Sequence, residues 1–92
     1  MAHSVQKQLY LGAADHISDP ARWTTGFKGI LWPSYKACAF GAMLLVGKRL
    51  GLPKRRVRAI VGEDRIAKVT GINDKQGREA VIAHLREEAA TF

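Results

Sequence analysis

At 92 residues the chain has room for one domain, residues 1–92, and excludes two independent cores. Its 47% hydrophobic content excludes disorder throughout, and its longest apolar run, the ten residues from Ala37 to Val46, is too short for a membrane span of about 20. The net charge of +7 is concentrated: residues 48–68 carry six of the seven net positive charges, with eight cations against only Glu63 and Asp64.

A first helix is expected after Ser4, whose hydroxyl can cap free backbone N–H groups. Val5, Leu9, Ala13 and Ile17 recur every four residues, and Tyr10 and Ala14 widen that stripe. Ser18-Asp19-Pro20 stops it, because the residue before proline is pushed out of the α region. Residues 20–34, "PARWTTGFKGILWPS", hold two Gly, two Pro and two Trp without clean periodicity. They predict an irregular connection whose Trp23, Phe27 and Trp32 fold back onto the core, with a short hairpin through "TTGFKGI" as its one regular alternative.

Ser34 is placed to cap a second helix running to about Leu50. That helix is apolar almost all round and should be the most buried element, and Gly41 within it suggests a close approach by another helix. Gly51 is placed to end it and Pro53 to start a third, which runs to about Val61. There Val57, Ile60 and Val61 point inward, and Lys54, Arg55, Arg56 and Arg58 crowd the remaining face. Gly62-Glu63-Asp64 breaks the chain, and Glu63 or Asp64 can cap a short helix ending near Gly71. A last helix buries Val81, Ile82, Leu85 and Ala89. Outside that hairpin alternative no segment reads as a strand. The fold class is therefore all-α: a compact single-domain bundle of four to five helices, with an irregular Trp-containing loop after the first.

"RIAKVTGIND" raises the question of a DNA-binding helix-turn-helix. Such a unit needs a small residue in its first helix, a left-handed glycine at the turn and an apolar residue beside it. Ile66, Ala67, Gly71 and Ile72 supply these. The second helix should then bury residues five and eight positions beyond Ile72, which are Gly77 and Ala80, while the apolar residues are Val81, Ile82 and Leu85. The motif is half present. The more economical account ends one helix at Gly71, turns through "NDKQG" with Asn73 and Asp74 bonding the turn backbone, and starts the last helix near Gly77 or Arg78.

Trp23 and Gly26, "CAFGA" (Cys38 to Ala42), "NDKQGRE" (Asn73 to Glu79) and "VIAHLREEA" (Val81 to Ala89) follow one another in an arrangement that resembles a family of small uncharacterised bacterial and phage proteins, a domain of unknown function. The resemblance spans most of the chain. It departs at Ile72, where many members look to have Trp, and the basic run from Lys48 to Arg58 is not attributable to the family. The resemblance implies a helical fold and a phage origin, and no assigned activity.

Nothing in the sequence reads as catalytic. His3, His16 and His84 show no metal-ligand spacing, and Cys38 lies in an apolar run as an inert thiol. The acidic residues are scattered, and no phosphate-binding loop is present. The expectation is a non-enzyme with no catalytic residue, metal or cofactor. The lone cysteine and the absence of an apolar segment in "MAHSVQKQL" point to a cytoplasmic protein, in a bacterial host cell if the chain is phage-encoded.

The cations carry the functional expectation. Lys48 and Arg49 suit the end of a helix dipole, but Lys54, Arg55, Arg56 and Arg58 open a helix, where the dipole disfavours positive charge. That placement fits a surface visited by phosphates or carboxylates. The expected partner is nucleic acid or a nucleoprotein, bound mainly through its backbone by Lys48, Arg49, Lys54, Arg55, Arg56 and Arg58, with Arg65 and Lys68 as extensions. The alternative is an acidic host protein surface, docked by the same cations or by Trp23 and Trp32 as an aromatic anchor. A third reading is a phage component that self-associates through apolar surface. No membrane is expected as a partner.

Overall fold

Ser4 opens the first helix as its side chain predicts: Ser4 Oγ accepts from the Lys7 N–H at 3.1 Å. The computed structural model describes residues 4–24, 30–31 and 36–92. Among them are five α-helices: α1 (Val5–Ile17), α2 (Ala39–Arg49), α3 (Lys54–Val61), α4 (Glu63–Gln76) and α5 (Arg78–Ala89). A 3-10 turn at Pro20–Arg22 follows α1. Phe27, Trp32, Ser34 and most of "TTGFKGI" lie outside the described residues.

The stretch between α1 and α2 also holds a two-residue antiparallel ladder. β1 (Ile30–Leu31) pairs with β2 (Lys36–Ala37), with Ile30 opposite Ala37 and Leu31 opposite Lys36. Trp23 bridges to Ala37 from the other side, and the Thr24 N–H donates to Ala37 O at 3.2 Å. Strands of two residues are too short to show an alternating pattern, so this pairing had no sequence signal.

α1 packs between α2 and α5. It buries Leu9, Tyr10, Ala13, Ala14, His16 and Ile17, whereas Val5, expected inward, is 39% exposed because cover on this face begins at Leu9. α2 is the buried centre: every residue from Ala39 to Gly47 is buried except the half-buried Leu44. Its N-cap is Cys38, whose Sγ accepts from the Gly41 N–H at 3.4 Å. Two glycines set how closely the helices approach. A Cβ at Gly12 of α1 would lie 2.7 Å from Val46 Cγ2, and one at Gly47 of α2 would collide with Val57 Cγ2 of α3. Only hydrogen fits at either place.

α4 departs from expectation. It does not end at Gly71; it runs on through Ile72, Asn73 and Gln76. The left-handed glycines are Gly51 (φ 79°), Gly62 (φ 92°) and Gly77 (φ 92°), and Gly71 is not among them. The reason is tertiary. Ile66, Val69 and Asn73 form one inward stripe at helical spacing with Ile72 packed beside it, and burying that stripe offsets the roughly 1 kcal/mol that an interior glycine costs. α5 then buries Val81, Ile82, Leu85 and Ala89 as its periodicity predicts. The C-terminal Phe92 ring stacks on Tyr10 at 5.5 Å.

Asn73 and Arg78, which sit in the "NDKQGRE" segment, tie distant parts together. Asn73 is fully buried, and its Oδ1 accepts from Trp23 Nε1 at 2.8 Å and from the Ala39 N–H at 3.0 Å. Its Nδ2 donates to Thr24 O at 3.2 Å and to Asp74 Oδ1 at 3.0 Å. All four hydrogen-bonding positions of the amide are used. The expectation that Asn73 merely bonds a local turn is thus corrected: it caps the first turn of α2 from α4 and anchors the Trp23 indole. Arg78 Nη1 donates to Ser18 O at 2.8 Å, closing the end of α1. The radius of gyration of 11.7 Å is close to the roughly 12 Å of a single compact domain of this length. Among the described residues no helix is long and apolar enough to cross a membrane.

Candidate nucleic-acid interface

The basic segment folds around one turn. α2 ends in Lys48 and Arg49, and Gly51 takes the left-handed conformation just beyond it. The Leu52 N–H donates to Gly47 O at 2.7 Å and the Gly51 N–H to Lys48 O at 3.0 Å, the paired bonds of a Schellman motif. Leu52 packs on the core, and Pro53 starts α3 without a side-chain cap. Val57 and Val61 then lock α3 inward, leaving Lys54, Arg55, Arg56 and Ala59 exposed.

The eight predicted cations separate into three groups. Lys48, Arg49, Lys54, Arg55 and Arg56 are all exposed around the turn, and none has a carboxylate partner among the described residues. Arg58 and Arg65 are engaged by the chain itself. Arg58 forms a two-pronged pair with Glu63, Nε to Oε1 and Nη2 to Oε2 both at 3.0 Å, and its guanidinium lies 5.4 Å from the Phe40 ring centroid. Arg65 lies over the Phe92 ring at 4.9 Å. Lys68 is exposed on α4, a different helix from the two that flank the turn. The surface thus centres on five cations rather than eight.

Charge at this turn is unopposed locally. The first turn of α3 holds no acidic residue, so its N-terminal dipole adds to the field of Lys54, Arg55 and Arg56. At the end of α2 the dipole favours Lys48 and Arg49. Glu63 is held by Arg58, and Asp64 lies beyond Gly62 in the first turn of α4.

The remaining candidates are structural. Trp23 is half-buried against the core with its Nε1 held by Asn73. Cys38 is buried and serves as a helix cap. Among the described residues no group of three or more His, Cys, Asp or Glu could hold a metal ion. A surface hollow of about 320 Å3 at the α3–α4 corner is lined by Val61, Gly62, Glu63, Asp64 and Arg65. Burial raises the Tyr10 hydroxyl above an ordinary phenol, with Glu88 adding to the effect and Arg65 opposing it. Compared with protein-family models, curated proteins and solved structures, the chain matches none.

The residues that sequence reasoning passed over at this site are Gly47, Leu52 and Ala59. Gly47 lets α3 lie against α2, Leu52 pins the turn to the core, and Ala59 leaves the outer face of α3 low. Their signal was the spacing of small and apolar residues around Gly51, which by itself reads as ordinary helix punctuation.

Proposed function

We propose that this chain is a small non-enzymatic module that binds nucleic acid, free or in a nucleoprotein, through the basic surface at the α2–α3 turn. On the resemblance to small bacterial and phage proteins, it acts as a phage-encoded regulator in the cytoplasm of a bacterial host. The observation that carries the reading is the cluster Lys48, Arg49, Lys54, Arg55 and Arg56, exposed and without carboxylate partners among the described residues. Crowded like charges repel, and three of these face an adverse helix dipole. A polyanion relieves both terms and releases its own condensed counterions.

Five phosphate contacts correspond to a slope of about −4.5 for log K against log salt on duplex DNA, or about a 500-fold loss of affinity between 50 and 200 mM. Fluorescence anisotropy with a labelled duplex tests this. Replacing Arg55→Ala and Arg56→Ala together should flatten the slope to about −2.7. Absence of binding to DNA and RNA at ~50 mM salt would sink the proposal. A partner retained from nuclease-treated lysate through the same five cations would then favour an acidic protein surface.

A further inference from the structure

The helix-turn-helix pattern that fails at Gly71 is met in full twenty residues earlier. Val46 and the small Gly47 stand in α2, the left-handed Gly51 at the turn and Leu52 beside it, with Val57 and Ile60 five and eight positions beyond Leu52. Each position does what the unit requires. Gly47 has no room for a side chain because Val57 Cγ2 occupies the space, and Val57 is fully buried. Leu52 and Ile60 pack against the core, and Val46 belongs to it. Two helices joined by a short glycine turn and held by these contacts form the scaffold that presents a second helix to DNA.

The outer face of α3 fits that role. At 100° per residue, Val57 and Val61 define the inward side, and Arg55 and Ala59 fall opposite them with Arg56 alongside. The small Ala59 lets the helix axis approach base edges, and Arg55 beside it can make the two-pronged contact that recognises guanine. At eight residues, α3 is about 12 Å long, and a helix of about 10–12 Å diameter enters a major groove about 12 Å wide. Lys48 and Arg49, at the end of the preceding helix, stand where that helix crosses the phosphate backbone. Duplex RNA does not offer this fit, because its major groove is deep and narrow.

We propose that α2, the Leu50–Pro53 turn and α3 form a helix-turn-helix that seats α3 in the major groove of duplex DNA, with Arg55 reading a base edge and Lys48, Arg49 and Arg56 on phosphates. The inference rests on the nucleic-acid reading above and adds to it the form of the partner and sequence selectivity. Selection from a duplex library with a randomised core should enrich a short motif containing guanine. On the enriched motif Arg55→Ala should reduce discrimination at one position by about 10-fold or more and leave the salt slope nearly unchanged. Arg56→Ala, in contrast, should weaken all sequences alike and reduce the salt slope by about 1. On non-specific duplex, where Arg55 rests on phosphate, each lowers the slope by about 0.9.

Ala59→Glu, an exposed change to a good helix former, should abolish duplex binding while far-UV circular dichroism stays native. Binding to duplex DNA with no enriched motif, equal binding to duplex RNA, or Arg55→Ala acting like Arg56→Ala on the enriched motif would each overturn the helix-turn-helix and leave the nucleic-acid reading standing. No binding to any nucleic acid would remove both.

Discussion

Two glycines compete for the role of the turn in this chain, and alanine substitution separates them. Gly71 lies inside α4 outside the left-handed region, and a Cβ added there meets no atom within 4 Å. Gly71→Ala therefore introduces no clash and removes the backbone entropy cost of an interior glycine, which stabilises the fold by about 1 kcal/mol. Gly51 also has open space, but its φ of 79° holds it where an L-residue suffers about 1–2 kcal/mol of strain. A gain of about 0.5 kcal/mol from a stiffer unfolded chain offsets part of this, leaving Gly51→Ala about 1 kcal/mol less stable. Urea unfolding followed by far-UV circular dichroism reads both. With a slope near ~1 kcal/mol per molar, the midpoints should move by about 1 M in opposite directions. Thermal midpoints should move by about 4–8 °C each way. A lower midpoint for Gly71→Ala, with Gly51→Ala unchanged, would mean that the chain turns at Gly71 and that the α2–α3 unit is wrongly placed.

Asn73→Ala leaves the buried Ala39 N–H and the Trp23 indole N–H without an acceptor, and at about 1–3 kcal/mol for each stranded donor it should cost roughly 3 kcal/mol in the same urea assay. A loss below about 1 kcal/mol would show that the network does not hold α2 and α4 together. Glu63→Gln frees Arg58 without adding bulk. It should cost less than about 1 kcal/mol of stability, because the pair is partly exposed, and steepen the salt slope for duplex DNA by about 0.9. An unchanged slope would place Arg58 outside the bound surface. The raised Tyr10 hydroxyl makes an alkaline prediction: the unfolded phenol ionises near pH 10, below the folded group. Stability from this group is thus fully present below about pH 10 and is lost as pH rises through the folded value, while in Tyr10→Phe that loss should be smaller in urea midpoints measured from pH 9 to 11.

The periodic stripes of α1 and α5, the all-apolar centre of α2 and the Ser4 cap were legible because each depends on residues within a few positions of one another. Gly51 and Pro53 marked the α2–α3 boundary for the same reason, and so did the inward Val57 and Val61. What local spacing does not contain is the sign of a glycine's φ. Gly51, Gly62, Gly71 and Gly77 are chemically identical, and only the burial of Ile66, Val69 and Asn73 on one stripe carried the helix through Gly71 to Gly77. Three of the four partners of Asn73 lie 34 to 50 positions away, so its part in the fold became visible only once the chain had closed. The candidate site divides the same way. A row of cations is written in the sequence, but which of them stay unpaired was decided when Glu63 met Arg58 and Phe92 met Arg65 across turns and packed helices.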